Sequence, residues 1–208
     1  MLLGQKPSLH RQCLTMQILS LVVPSSIIQR RCQTTEGAGN DNGPDEDEDV
    51  PAYCQDVTGW AKEWTTFEDE VLRLVNEVRA IGYDCDSEGT FGPAGPLTRD
   101  LLLRCSARKH SKDMADQGYF SHTGKDGSQP WDRIDRTDYD WSAVGENIAL
   151  GTKTPQETMD GWLESDGHCA NIMAPEFTQL GVGYFYTADP IDDRYLGHYW
   201  TQNFGTPR

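Results

Sequence analysis

The order of periodicities along the chain predicts an α+β domain, with helices packed against a mainly antiparallel sheet. Two runs with helical spacing come early, a Gly- and Pro-rich loop separates them, and alternating strand-like runs cluster after Phe177. Helices first and strands late describe segregated elements, not the regular strand–helix alternation of a parallel sheet.

The elements follow in order. Thr65-x-x-Glu68 reads as a capping box, after which Phe67, Val71, Leu74, Val75 and Val78 form one apolar helical face and Gly82 stops it. The loop from Tyr83 to Pro96 carries no clear period. A second helix runs from about Arg99 to Gln117, with Leu103, Ala107, His110 and Met114 on one face and Gly118 at its end. Ser128 and Pro130 open a short third helix through Trp131 and Ile134. Thr154-Pro155-Gln156-Glu157 supplies an N-cap, a first-turn proline and a capping glutamate to a helix carrying Met159, Trp162 and Leu163. His168 is read as closing a helix. Gly181–Thr187 and Tyr195–Phe204 flank a polar loop and predict an antiparallel hairpin. Trp131, Trp141, Trp162 and Trp200 are assigned to the core.

Bulk properties narrow the function classes. Thirty-three acids against 18 bases give a net charge of −15, which repels phosphate backbones and argues against nucleic acid as a partner. Residues 1–32 combine Lys6, His10 and Arg11 with an apolar stretch broken at Pro24, the proportions of a signal or membrane-targeting segment and too short for a confident span. Cys32 sits where a lipoprotein cysteine would, although Arg30 and Arg31 before it do not resemble a lipobox. A start codon assigned too far upstream is the alternative. Residues 33–52 are an acidic linker expected to be disordered, because like charges repel and nothing apolar offsets the ordering entropy. The domain occupies 53–208, with no transmembrane span in it. Six cysteines without any C-x-x-C spacing favour disulfides and an oxidising compartment. Cys54, Cys85, Cys105 and Cys169 allow three connectivities; Cys54–Cys105 with Cys85–Cys169 is favoured, since a tether at Cys169 would fix the loop of the adjoining His168.

Spacing alone does not unite the histidines, as no pair lies at i, i+4. Glu146 between Gly145 and Asn147 reads as a turn residue. Several segments together, however, resemble the bacterial branch of the CAP superfamily (cysteine-rich secretory, antigen 5 and pathogenesis-related proteins). They are Phe67–Arg79 with LVNEVR, Ala107–Gly127 with YFSHTGKDG, GENIALG at Gly145–Gly151, W-x-x-S-x-G-H-x-x-NIM at Trp162–Met173, FTQLGVG at Phe177–Gly183 and YWTQNFG at Tyr199–Gly205. They cover nearly all of 65–205 in the family's order.

The resemblance implies a three-layer α-β-α sandwich with a cavity formed by His122, Glu146, His168 and Ser165. It further implies that His122, His168 and Glu146 could hold a divalent cation, Zn2+ above all, since neutral imidazole suits that metal. Ser165 stands where eukaryotic members often carry a glutamate, and Glu164, one step short, is rotated away by about 100°. A catalytic reading would use Glu146, His122 and His168 with Ser165 or Ser121, yet neither serine lies in a nucleophile elbow. His110 is read as a core histidine with a backbone partner, support of the cavity being the alternative, and His198 as structural. Three functions remain: a secreted or envelope-associated module binding a metal, a small ligand or a lipid; a hydrolase; and a surface module recognising an envelope protein.

Overall fold

The structure is a computed structural model that describes residues 51–190 and 197–208. The readings of residues 1–32 and 33–50, with Cys13 and Cys32, lie outside the described residues, as does the end of the polar hairpin loop.

Among the described residues, five α-helices, six strands and a second 3-10 turn at Asp86–Glu88 follow a 3-10 turn at Ala52–Val57. They are α1 (Lys62–Ile81), β1 (Tyr83–Asp84), β2 (Thr90–Phe91), β3 (Thr98–Arg99), α2 (Leu101–Gln117), α3 (Pro130–Asp135), β4 (Trp141–Leu150), α4 (Pro155–Leu163), α5 (Asp166–Met173), β5 (Gln179–Tyr186) and β6 (His198–Pro207). The main sheet has the order β3-β5-β6-β4, and β1 pairs with β2 apart from it. The β5–β6 and β4–β6 pairs are antiparallel, and only the two-residue β3 runs parallel to β5. The fold is therefore the expected α+β sandwich. The α2 and α3 helices cover one face of the sheet and α1, α4 and α5 the other.

Alternation along the strands sends different residues to the two layers. Leu180, Val182, Trp200 and Phe204 face α1, α4 and α5, where Val71, Val75, Met159, Trp162, Ile172 and Met173 complete the principal core. On the opposite face α2 lies almost on the backbone of β5. A methyl group added at Gly181 would sit 2.0 Å from Arg104 N, and one at Gly183 2.2 Å from Ala107 C. Only glycine permits this approach.

Side chains satisfy the strand edges. Past β3, no strand among the described residues lies beside the outer edge of β5. At Tyr184 the N–H donates to Glu68 Oε1 (3.1 Å) and the carbonyl accepts from Trp60 Nε1 (3.0 Å). Glu68 is wholly buried, and Arg108 meets it through Nη2 (2.7 Å) and Nε (3.0 Å). On the outer edge of β4, Ile148 O accepts from Trp162 Nε1 (3.1 Å) and Glu146 O from Asn171 Nδ2 (3.4 Å).

Several local readings change. The first helix begins at Lys62, not at a cap on Thr65, and Glu68 is a buried charge inside it. Packing draws the extra turn into the helix: Trp64 meets Trp60, Tyr184 and Phe185. The second helix starts at Leu101 because the Asp100 carboxylate caps Leu102 N and Leu103 N at 2.9 Å each. Gly118 ends it in the left-handed conformation (φ 62°), as read. Glu146 is no turn residue but lies mid-strand in β4, which periodicity did not reveal. His168 does not close a helix: extended backbone at Ser165 separates α4 from α5, and His168 lies in the first turn of the latter. Trp162 and Trp200 are core, whereas Trp131 is 49% exposed. The disulfides are Cys54–Cys105 and Cys85–Cys169, the favoured connectivity.

Candidate functional site

The site forms where the loop after α2, the middle of β4 and the start of α5 meet. Gly118 turns the chain out of α2, and Tyr119–His122 then passes back over it, so that Ser121 O accepts from His110 Nε2 at 3.0 Å. His122 thereby comes to β4, its Nδ1 2.8 Å from Glu146 Oε1. The His122 side chain is 48% exposed, that of Glu146 only 1%.

Glu146 is bound from several sides. Its second oxygen takes Arg133 Nη2 at 2.8 Å from α3, whose first turn is set by Asp132 Oδ2 accepting from Gln129 N at 2.8 Å. Arg133 Nη1 reaches Ser128 O at 3.1 Å. With its amide oriented to satisfy both neighbours, Asn203 donates to Glu146 Oε2 (3.1 Å) and accepts from Ser106 Oγ (2.9 Å). His110 Nε2 lies 3.9 Å from Oε1. Burial alone would raise the Glu146 carboxyl, but His122, His110 and Arg133 outweigh it and hold the group below its ordinary range. It is therefore an ionised acceptor at neutral pH. That requires Nδ1 of His122 to carry a proton, and in the neutral tautomer Nε2 is then the acceptor nitrogen.

His168 approaches through backbone. Its carbonyl accepts from Asn147 Nδ2 (3.1 Å), and Asn171 Nδ2, one turn on, donates to Asn147 Oδ1 (2.9 Å). Burial first, then the neighbouring His122, lower the pKa of the His168 imidazole. The Cys85–Cys169 bridge anchors the adjoining residue, as does Asp166, which accepts from Ser87 N at 3.3 Å.

The predicted set is thus joined unequally. His122 and Glu146 are in direct contact, and His168 is tied to the same strand through its carbonyl, which accepts from Asn147. Ser165 is the N-cap residue of α5 without a side-chain capping bond, and Glu164 is exposed. Among the described residues no hydrogen bond joins Ser165 or Ser121 to an imidazole side chain other than the Ser121 carbonyl on His110; Ser121 Oγ accepts from Thr123 N. No three His, Cys, Asp or Glu groups among the described residues come together as a metal-holding set. Glu146 stands to His122 as a carboxylate stands to an imidazole that it orients. His110 is a buried core residue with a backbone partner, as read, and its Nε2 lies 3.9 Å from Glu146. His198, with Nδ1 2.9 Å from Tyr184 OH, stands in the aromatic cluster away from the site. Sequence reasoning missed Arg133, Asn147, Asn171 and Asn203; the NIM and QNFG blocks contain two of them, but nothing in their spacing signals a shared partner.

This fold and this site define a class. Residues 72–204 match the family described as the cysteine-rich secretory protein family, CAP, and the chain belongs to it. Among its relatives, the uncharacterized protein YkwD of Bacillus subtilis (strain 168) is 40% identical over 109 residues, 52% of this chain and 39% of that protein. The uncharacterized membrane protein YlbC of the same organism is 33% identical over 145 residues, 70% of this chain and 36% of its own length. The chain thus spans under two fifths of either. An extracellular protein containing an SCP domain from Bacillus anthracis str. Ames superposes with a TM-score of 0.54 at 30% identity, covering 68% of this chain and 40% of that one. An outer surface protein from Borrelia burgdorferi shares the fold, with a TM-score of 0.55 at 18% identity over 71% of this chain and 95% of its own.

Proposed function

We propose that the protein is an exported CAP-domain binding module of the extracellular space or cell envelope, which holds a divalent cation or small polar ligand through His122 and His168. The observation that carries this reading is the hydrogen bond from His122 to buried, Arg133-paired Glu146. It fixes one imidazole with its free nitrogen outward, as a ligating histidine needs. Zinc suits such nitrogens and would supply a Lewis-acidic centre with open positions. The polar lining favours a cation or polar ligand over a lipid. Two disulfides suit an oxidising compartment, and the description of the Bacillus anthracis relative as an extracellular protein supports export.

Calorimetric titration with zinc tests the reading. His122→Ala and His168→Ala should each abolish binding with the fold intact, and Glu146→Gln should weaken it less, because a glutamine oxygen still accepts from Nδ1. His198→Ala should leave affinity unchanged. Failure of the wild-type protein to bind zinc at micromolar concentration would overturn the metal reading.

A further inference from the structure

A cavity lies between the Ala52–Val57 turn and α2, and none of His122, Glu146 and His168 lines it. Its volume is about 100 Å³, room for a few waters or a short organic ion. Arg104, Arg108 and Thr65 supply its polar lining, and Val57, Trp60 and the Cys54–Cys105 bridge its apolar lining. Exposed Gly59 lines it too, so the space reaches solvent. Both guanidiniums are buried, at 4% and 5% exposure. Arg108 Nη2 pairs with Glu68 at 2.7 Å, and its guanidinium carbon stands 5.3 Å from the centre of the Trp60 ring. Arg104 Nε lies 3.7 Å from Glu68 Oε2, and its Nη2 pairs with Asp69, which Arg99 also meets at 3.3 Å. Three guanidiniums therefore share two carboxylates, and one of these, Asp69, is exposed. Arg104 carries the shortfall. Burial is the first cause that holds it below the ordinary arginine range; Glu68 and Asp69 oppose that shift, and Arg108 and Arg99 add to it. An anion entering the cavity would offset this charge.

We propose that the cavity binds a short-chain carboxylate, its oxygens on Arg104 and Arg108 and its alkyl tail against Trp60 and Val57. The single charge of a carboxylate matches the one cation in excess, and its two oxygens match the planar fork of a guanidinium. The apolar lining favours an alkyl chain over chloride, which has no tail to bury. A dianion such as phosphate overshoots the excess and is repelled by Glu68, which is itself buried behind Arg108.

Titration of the full chain with sodium propionate, sodium chloride and sodium phosphate at fixed ionic strength tests this, followed by NMR at the Trp60 indole N–H. Propionate should shift that resonance along a saturating curve, while chloride and phosphate at the same concentrations should shift it far less. Arg104→Gln leaves the Glu68–Arg108 pair in place and should weaken propionate binding about tenfold, as loss of a hydrogen bond to a charged group does. A propionate response that never saturates, or one equal to that of chloride, would overturn the proposal with wild-type protein alone. Tighter binding of phosphate than of propionate would do the same, as would an unchanged propionate affinity in folded Arg104→Gln.

Discussion

His110 has no accessible surface, and its Nε2 is held between the Ser121 carbonyl and Glu146. Burial, partly opposed by Glu146, pushes its pKa down to about 4. Between that value and the ordinary histidine value near 6.5 the unfolded chain binds the extra proton and the folded chain does not. Stability is therefore complete above about 6.5 and declines as pH falls toward 4, by on the order of 3 kcal/mol from this residue. His110→Gln, which can still donate to Ser121 O, should flatten the decline; parallel melting-temperature profiles for the two proteins between pH 7 and 4 would exclude His110 as its source. At this scale the family-like blocks pointed to His122, Glu146 and His168. Arg133 was not legible, because an arginine in a six-residue helix looks like surface until the fold turns it onto a buried carboxylate. Ser165, singled out by position in its block, stands at the break between two helices, the N-cap of α5.

Among elements, those with a strong period or turn chemistry were readable. The apolar face of α1, the glycine ending α2, the Thr154-Pro155 start of α4 and the β5–β6 hairpin all declared themselves. The β4 strand did not, since neither of its central side chains is apolar: Glu146 turns to Arg133 and Asn203, and Asn147 to Gln202 and His168. An alternation of polar against polar has no hydrophobic period. Nor could sequence show that Glu68 is buried and bridges α1 to α2. Removing that charge would leave Arg108 buried without its carboxylate, so Glu68→Gln should cost about 3–5 kcal/mol in urea unfolding. A loss below about 1 kcal/mol would mean that Arg108 reaches water instead. Gly183→Ala forces a methyl into the α2 backbone and should destabilise by about 3 kcal/mol or prevent folding, measured by the same unfolding curves.

For the whole molecule, the order of the blocks sufficed to name the fold, because together they fall on all three layers, three of them on strands of the one sheet and the others on the helices at its two faces. The connectivity of the bridges was one choice among three until the chain was folded. The Cys85–Cys169 bridge links residues 84 apart and joins the loop after β1 to the helix bearing His168. Replacing both cysteines by serine should cost about 2–4 kcal/mol of stability. Because Cys169 adjoins His168, the same double variant should also lose zinc affinity, whereas the Cys54→Ser, Cys105→Ser pair should lose stability and keep affinity. Equal zinc affinity in the two double variants would show that α5 holds its place without the bridge.

The side chains that occupy the sheet margins have a consequence for how the protein behaves in company. A strand margin with unpaired amides is a template on which another chain can extend the sheet, the first step toward aggregates. Here Trp60 and Glu68 block the template at Tyr184, and Trp162 and Asn171 block it at Ile148 and Glu146. Trp60 belongs to the segment ahead of the family-matched residues and packs beside the Cys54 bridge, so one margin is guarded from in front of that match. A protein released where no chaperone can rescue it would stay dispersed for that reason, and the guard at Trp60 would be lost first if the Cys54 bridge were cut.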